Sequence, residues 1–289
     1  MNENAAQRPC ALVTGAAGGL GAAAVRRFID GGWRVAAADL KAPTGFRSDD
    51  VLPVAMDIRD TASVEAGMDE LRRWAPDGID ALVTFAAVGG IGPLMETSVE
   101  DMATVMDVNV VGTHRTVLAA WEHVRKASGR IVLIGSETGA QHAFPLNGPY
   151  AASKHAIEAY ADALRRELMF VGVPVVLMQP GPFRTAMLSR VPSAFAAVPA
   201  ESPFKPLTDH AIAHLAGAEK KASDPEVLAD AVFDAATSAR PRTRYPVRVD
   251  RGRALLDLLP VGVVDRVLKS AIGSSVSTHS QPLKPAQAR

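Results

Sequence analysis

The chain is poor in cysteine, in excess charge of either sign and in long apolar runs, and each scarcity excludes a class of protein. Cys10 is the single cysteine in 289 residues, which rules out an internal disulfide and favours a reducing compartment. Basic and acidic side chains balance at 31 each, so no electrostatic footprint for nucleic acid is evident. No run approaches the roughly 18 apolar residues of a membrane helix, and MNENAAQRPC lacks the apolar core of a secretion signal. These absences predict a cytoplasmic protein without an integral membrane segment; peripheral membrane contact stays open.

Short apolar runs alternate along the chain with longer stretches of helical period. The runs predicted as buried strands are CALVTG, RVAAADL, VLPVAMD, DALVTFAA, RIVLIGS and VPVVLMQPG, with RYPVRV as a last edge strand. This alternation is typical of an α/β fold in which a parallel sheet is doubly wound with helices, the Rossmann fold. Ligands of such a sheet bind beyond the carboxyl ends of its strands.

The same pattern divides the chain into one domain and two tails. We predict a single Rossmann-fold domain over residues 10–273, a flexible tail over 1–9 and a disordered tail over 274–289. The alternation fails after Thr185, where a segment rich in proline and alanine is too long for an ordinary connection. Residues 186–223 are therefore predicted to form a lid over the substrate. Helices near 224–239 and in VVDRVLKSAI would complete a C-terminal extension.

A glycine-rich turn, LVTGAAGGLGAAAV, follows the first predicted strand and opens a helix. Its glycines let the backbone approach a pyrophosphate at the helix N-terminus. Asp39 ends the next strand, where a carboxylate accepts hydrogen bonds from a ribose and repels a 2′-phosphate. The pattern predicts a dinucleotide site that prefers NAD to NADP. The alternative is a glycine turn that serves packing alone.

Tyr150 and Lys154 stand four residues apart in PYAASKHA, at the start of a predicted helix from 150 to 170. Side chains at this spacing lie on one face of a helix, and a cation close to a phenol favours the phenolate. We therefore predict a lowered pKa for Tyr150, which suits it to transfer a proton. The alternative is an exposed tyrosine beside a solvated lysine.

Several motifs together resemble the short-chain dehydrogenase/reductase family, from about Ala11 to Val249. They are NVVG from Asn109 to Gly112, Ser136 in IVLIGSETG, Tyr150 and Lys154 in YAASK, and PGPFRT from Pro180 to Thr185. The chain looks like the compact single-domain members, and most like the hydroxysteroid and retinol dehydrogenase-like enzymes. The glycine turn also fits the larger sugar-nucleotide epimerases, but the short C-terminal region disfavours that interpretation.

The resemblance implies four catalytic residues. Tyr150 is the general acid in ketone reduction and the base in oxidation, and Ser136 holds the substrate oxygen. Lys154 lowers the tyrosine pKa and binds the nicotinamide ribose, while Asn109 positions a water that links Lys154 to solvent. The implied cofactor contacts are Gly15, Gly19, Leu20, Gly21, Asp39, Asp57, Ile58, Ala86, Tyr150, Lys154, Pro180, Gly181, Phe183 and Thr185.

One segment departs from the family pattern. Thr84, Phe85, Ala86 and Ala87 stand where the family usually has Asn-Asn-Ala-Gly. Thr84 is expected to keep a smaller version of the hydrogen bond of the first Asn, and Phe85 to substitute packing. Ala87 adds a methyl group where the backbone runs close to the cofactor, or demands an unfavourable φ, so weakened or retuned cofactor binding is expected.

These features predict an NAD-dependent oxidoreductase that interconverts a bulky hydrophobic secondary alcohol and its ketone. The apolar segment after Thr185 and the lack of a basic substrate pocket motivate the choice of substrate. A different hypothesis, motivated by the altered segment at 84–87, is a dinucleotide-binding sensor or scaffold with little turnover. His210 and His214 have a spacing that can bind metal, but no acidic or sulfur partner follows at a matching spacing, so no metal is predicted. Relatives are commonly homodimers or homotetramers, which is the expected assembly.

Overall fold

The structure, a computed structural model, describes residues 8–46 and 49–276, and for 214–221 and 274–276 it describes the backbone alone. The strands are β1 (Cys10–Thr14), β2 (Arg34–Asp39), β3 (Val51–Ala55), β4 (Ala81–Thr84), β5 (Arg130–Ile134), β6 (Val175–Pro180) and β7 (Arg244–Val247). The helices of the main body are α1 (Gly19–Asp30), α2 (Thr61–Trp74), α3 (Val99–Met106), α4 (Thr113–Lys126), α5 (Glu137–Ala140) and α6 (Gly148–Leu168). Beyond β6 follow α7 (Ala186–Ser189), α8 (Val191–Ala196), α9 (Lys205–Lys221), α10 (Pro225–Thr237), α11 (Arg251–Leu256) and α12 (Val261–Val276).

The seven strands that the structure describes form one parallel sheet in the order β3-β2-β1-β4-β5-β6-β7. The winding reverses between β1 and β4, because the connection through α1 leads outward to β2 while β4 leads to β5 on the other side. A reversal of this kind opens a crevice beyond the carboxyl ends of the two strands. The predicted doubly wound α/β fold is confirmed.

Both faces of the sheet are covered, which explains why its strands are continuous apolar runs rather than alternating ones. Successive side chains of a strand point to opposite faces. In β1, Leu12 joins the cluster beneath α2, α4 and α6, and Val13 joins the cluster beneath α1 and α10. Both side chains are fully buried.

The segment after Thr185 is more regular than its composition predicts. It holds α7, α8 and the whole of α9, whereas the sequence pattern places the next helix only near residue 224. The prolines obscure these helices, yet Pro192 lies in the first turn of α8 and Pro206 is the second residue of α9. A first turn tolerates proline because its N–H groups have no partner within the helix.

At both ends the ordered structure extends beyond the predicted domain bounds of 10–273. Helix α12 continues to Val276, so the predicted start of a disordered tail at 274 falls inside a helix; residues 277–289 lie outside the described ones. At the other end Arg8 forms an ion pair with Asp50, and the Pro9 carbonyl accepts the Arg34 N–H at 2.9 Å. These two residues of the predicted 1–9 tail are thus held to the sheet, and residues 1–7 lie outside the description.

Candidate active site

A cavity of about 770 Å³ lies at the carboxyl ends of the central strands, where the winding reverses. It extends from the glycine-rich turn after β1 to the lid helices α7 and α8. A cavity of this size falls within the range of small-molecule and cofactor sites.

The glycine-rich turn has a shape that only glycine permits. Gly15 has φ +70°, and a Cβ there would lie 2.6 Å from the backbone nitrogen of Ala86. Gly18 caps α1 without a side-chain hydrogen bond, so no side chain occupies the space in front of the first helical N–H groups. A bare helix N-terminus beside closely packed backbone suits a pyrophosphate, so these residues fit a dinucleotide.

Asp39 closes the other side of this turn. Its carboxylate accepts the Ala17 N–H at 2.9 Å and the Leu40 N–H at 2.7 Å, which holds it in the cavity wall at the end of β2. Beside it the Arg59 guanidinium binds the Asp57 carboxylate at 3.0 and 2.7 Å and holds the pKa of that carboxyl below its usual value. The negative charge of Asp57 is therefore compensated within the protein, whereas Asp39 has backbone partners alone among the described contacts.

Tyr150 and Lys154 lie in the first two turns of α6 and line the opposite end of the cavity. The Ser136 side chain lies close to Tyr150 and acts to lower the pKa of its phenol. The Lys154 ammonium lies 5.6 Å from the centre of the Tyr150 ring and donates to the Ile134 carbonyl oxygen at 2.8 Å. Ser136 caps α5, with its hydroxyl accepting the Thr138 N–H at 3.1 Å. One hydroxyl pair and one buried cation thus converge at a single point of the wall.

The pKa of Tyr150 shifts in the direction opposite to the sequence prediction. Burial raises it, the negative charge of Glu137 raises it further, and the Ser136 side chain opposes both. Burial also lowers the pKa of Lys154 to about 8. The prediction of a lowered tyrosine pKa was wrong because it considered the charge of Lys154 and not the cost of placing a phenolate out of water.

Asn109 lies in a π-helical segment, Asp107–Gly112, between α3 and α4. Its amide accepts the Val88 N–H at 2.8 Å and donates to the Val88 carbonyl and the Ser153 hydroxyl, both at 2.9 Å. Among the described residues, no hydrogen bond joins Asn109 to Lys154. The direct effect of Asn109 is to tie the loop after β4 to α6, and π-helical turns of this kind are frequent at functional sites.

The departure from the family pattern at 84–87 is accommodated by the packing. The Thr84 hydroxyl accepts the Ile134 N–H at 3.4 Å, which links β4 to β5, and Phe85 packs against the cluster beneath α1. Ala87 lines the cavity and is not among the residues with positive φ, so its methyl group imposes no left-handed backbone strain. The remaining question at this position is contact with the cofactor.

Most of the residues predicted as cofactor contacts line the cavity. The ones that line it are Gly15, Gly19, Leu20, Gly21, Asp39, Asp57, Ile58, Ala86, Tyr150, Lys154, Pro180 and Thr185. Gly181 and Phe183 do not line it, nor do Ser136 and Asn109, which lie one residue away from lining residues Gly135 and Val108. Phe183 is buried in the apolar cluster beneath α1.

Sequence patterns missed several lining residues. They are Thr14, Ala38, Leu40, Met56, Arg59, Phe85, Val88, Gly89, Ile91, Thr104, Val108, Ile134 and Gly135, together with Ala186, Met187, Arg190 and Ala194, which were predicted only as part of a lid. Arg190 is the most consequential, because the substrate prediction relied on the lack of a basic residue. The spacing of Ala186, Arg190 and Ala194 at four-residue intervals is a signal that shows one helical face, once the segment is known to be helical.

The C-terminal extension is joined to the site through Glu137, the residue after Ser136. This buried carboxylate accepts the Asp250 N–H at 2.7 Å and an Arg253 N–H at 3.3 Å. Burial raises its pKa, and these two donors oppose the shift. The start of α11 is therefore held beside Ser136.

Two predicted absences concern metal and membrane. Within the described residues no group of three metal-ligating side chains occurs, and the side chain of His214 lies outside them. None of the described helices is both long enough and apolar enough to cross a membrane.

Comparisons with known proteins agree with the fold. The family model for short chain dehydrogenases matches residues 9–194. An NADPH-dependent 3-dehydrocapnine reductase of Ornithobacterium rhinotracheale is 30% identical over 276 residues, which covers 89% of this chain and 95% of that protein. Retinol dehydrogenase 16 of Rattus norvegicus is 32% identical over 280 residues and covers 88% of this chain and 86% of its own length.

Among solved structures, a Burkholderia cenocepacia short chain dehydrogenase in complex with NADP superposes with a TM-score of 0.69 at 22% identity, over 92% of this chain and 97% of that one. A Brucella melitensis 3-ketoacyl-(acyl-carrier-protein) reductase complexed with NADH gives a TM-score of 0.69 at 23% identity, over 85% and 98%. At these identities the likeness concerns the fold.

The fold and the cavity define a nicotinamide-dinucleotide oxidoreductase of the Rossmann type. The chain belongs to the short-chain dehydrogenase/reductase family and is similar to its retinol and hydroxysteroid dehydrogenase-like members.

Proposed function

We propose that this enzyme uses NAD to interconvert a bulky hydrophobic secondary alcohol and its ketone, with Tyr150 as general acid and base. The observation that carries the proposal is the grouping of Tyr150, the nearby Ser136 side chain and the buried Lys154 at the end of a cavity that fits a dinucleotide. The bound nicotinamide supplies or accepts the hydride. Every other step falls to side chains of this chain.

In the reduction direction Ser136 and Tyr150 both donate hydrogen bonds to the substrate oxygen, where negative charge grows. The raised pKa of Tyr150 keeps its proton in place at neutral pH, so the phenol is ready to act as the acid. In the oxidation direction the same phenol must first lose its proton, which higher pH favours. Lys154, held by Ile134, supports the phenolate and would bind the nicotinamide ribose.

The preference for NAD rests on Asp39. Its carboxylate is fixed by Ala17 and Leu40 at the end of β2, where a 2′-phosphate would meet uncompensated negative charge. The relative named as NADPH-dependent and the NADP complex above make this preference a property to test for this chain. The catalytic roles of Asn109 and the lid role of residues 186–223 belong to the same proposal.

A hydrophobic substrate is supported by the lining beyond the nicotinamide end. Val88, Ile91 and Met187 provide an apolar wall there. The similarity to retinol dehydrogenase 16 points in the same direction. We also propose a homodimer or homotetramer formed through α4 and α6, where Leu118 on α4 and Phe170, two residues beyond the end of α6, are 65% and 81% exposed. The cytoplasmic location remains a prediction.

The test titrates the purified protein with NAD+ and NADP+ and follows reduced-cofactor absorbance across a panel of hydrophobic secondary alcohols. Tyr150→Phe should lower kcat/KM by about 10²–10⁴-fold. Tyr160→Phe is the matched control, because Tyr160 lies on the same helix but bonds to His114 outside the cavity. NAD binding without turnover of any alcohol by the wild type, and no effect of Tyr150→Phe, would favour the sensor or scaffold suggested by the altered 84–87 segment.

A further inference from the structure

The lid presents one row of side chains to the cavity. Ala186, Arg190 and Ala194 line it at intervals of four residues, and Met187 adds to the row. Arg190 ends α7 and precedes α8 with helical backbone angles, φ −84° and ψ −13°. Residues four apart on a helix share a face, so Arg190 lies in the middle of the face that the lid turns to the cavity.

Arg190 is unlike the other charged residues of the cavity wall. Asp39, Asp57 and Arg59 stand at the adenosine end, where Arg59 is paired with Asp57. Lys154 is buried and bonded to the Ile134 carbonyl. Across the described residues, no acidic side chain pairs with Arg190 and no hydrogen bond of its guanidinium occurs.

The basic residues nearest to Arg190 along the described chain are Arg184 and Lys205, and both have protein partners. Arg184 forms an ion pair with Asp224 and donates to the Ala222 carbonyl at 2.9 Å. Lys205 pairs with Asp209 at 2.8 Å. Neither residue lines the cavity. Arg190 thus differs from both of these residues: it faces the substrate space, and it has no protein partner among the described residues.

The surroundings of Arg190 limit the ligand that suits it. Met187, Ala194 and Ile91 line the same cavity, and Ile91 packs with Val191 on the lid core. Arg190 is exposed in this structure, so water solvates its guanidinium; a wholly apolar substrate bound against it would displace that water and offer no acceptor in return. A substrate with an oxyanion would satisfy it with paired, charge-assisted hydrogen bonds.

The cofactor phosphates are a less suitable partner for Arg190. The bare N-terminus of α1 already addresses the pyrophosphate, and the lid approaches that turn through Thr185, whose methyl lies 4.0 Å from where a Gly19 Cβ would stand. Arg190 comes five residues later, about 7 Å further along a helical path. Arg190 lines the cavity together with the apolar residues Ile91, Met187 and Ala194.

We infer that the substrate is amphipathic, with an apolar body that carries the reacting alcohol or ketone and an anionic oxygen group, such as a carboxylate, bound by Arg190. This inference rests on the proposed function, since it specifies the substrate of the same cavity. Arg190 is then the residue that selects acids over their neutral counterparts.

The test compares keto fatty acids with their methyl esters, in a series that varies the separation between ketone and carboxylate. For the acid of best fit, Arg190→Gln should lower kcat/KM by about 10- to 100-fold, and should leave the ester within about twofold. Arg190→Lys should retain part of the preference, since it keeps the charge and loses the planar pair of donors. Arg73→Gln on α2 is the matched control, because it removes an exposed arginine that does not line the cavity.

A binding measurement keeps the inference independent of turnover. Calorimetric titration of the protein–NADH complex with the same acids should show weaker binding for Arg190→Gln and an unchanged Kd for NADH. Equal losses for acid and ester, or a weakened NADH Kd with no change in acid binding, would overturn it. If wild-type protein reduces ketones without preferring acids, only the inference fails; if it reduces no ketone, the proposed function fails as well.

Discussion

The Lys154 ammonium donates to the Ile134 carbonyl oxygen across 2.8 Å, so a buried cation is held 5.6 Å from the centre of the ring of Tyr150, the proposed catalytic tyrosine. Lys154 is only 4% exposed and makes no described ion pair. Burial without a counter-charge is what lowers its pKa to about 8. The arrangement fixes the position of the ammonium at the cost of stability.

This cost predicts a pH dependence of stability. Because the folded-state pKa of Lys154 is about 8 against 10.5 in the unfolded chain, the unfolded state binds the proton more tightly. The free energy of unfolding of the wild type should rise relative to Lys154→Met between about pH 8 and 10.5, by on the order of 2–3 kcal/mol. Urea unfolding at stepped pH measures it, with Lys269→Met, an exposed lysine, as the control. A difference that is flat or falls with pH would contradict the assignment.

Glu137 predicts a pH dependence of activity. Its negative charge raises the pKa of Tyr150, so Glu137→Gln should lower that pKa. In alcohol oxidation the phenol acts as the base, and the rising limb of the kcat/KM profile should therefore move to lower pH. Glu137→Asp, which keeps the charge, should restore the wild-type limb. A limb that moves to higher pH in the Gln variant would show that contacts to Arg253 dominate instead.

Asp39 predicts the cofactor preference. Asp39→Asn retains an oxygen for the Ala17 N–H and removes the charge. The ratio of Kd for NADP+ to Kd for NAD+ should fall by about tenfold, or about 1.4 kcal/mol. Fluorescence titration of both cofactors measures the ratio, and Asp69→Asn on α2 is the control, since Asp69 pairs with Arg72 away from the cavity. Wild-type preference for NADP+ would refute the role given to Asp39.

Two glycines with similar backbone angles allow the cost of left-handed backbone strain to be measured separately from the cost of a steric clash. Gly15 has φ +70° and Gly32 has φ +79°, but a Cβ at Gly32 meets nothing within 4 Å. Gly32→Ala should cost about 1–2 kcal/mol of folding free energy from the left-handed backbone alone. Gly15→Ala should cost more and should also weaken cofactor binding, because its Cβ lies against Ala86. Equal losses of stability from the two variants would mean that the contact relaxes freely.

The single cysteine offers a probe of unfolding. Cys10 is 3% exposed, and burial raises its pKa to about 12. The thiolate is therefore scarce and shielded at neutral pH. A thiol-specific chromophore should react at least about 100-fold more slowly with the native protein than in urea. Rapid native labelling would show that β1 opens locally, since Cys10 is its first residue.

The alternation of short apolar runs with stretches of helical period was sufficient to predict the doubly wound fold. Each strand is a short apolar run because helices cover both faces of the sheet. The glycine turn, Asp39, and the pair of Tyr150 and Lys154 also followed from local spacing, since a turn and a helix fix the relative positions of neighbours. Helices α7 to α9 did not follow from the sequence. Proline disrupts the interior of a helix but is tolerated in its first turn, and composition alone does not show which of these positions a proline occupies.

By itself the sequence determined the parallel sheet, the glycine-rich turn and the placement of Tyr150 and Lys154 at the start of a helix, because these depend on local periodicity and on backbone geometry. Tertiary structure alone decided the direction of the Tyr150 pKa, the contacts of Asn109 with Val88 and Ser153, and the position of Arg190 in the cavity wall. Each of these depends on burial or on the meeting of segments far apart in the chain. Spacing along a chain fixes which side chains are neighbours on one element, whereas solvation and partners across elements exist only once the chain is packed.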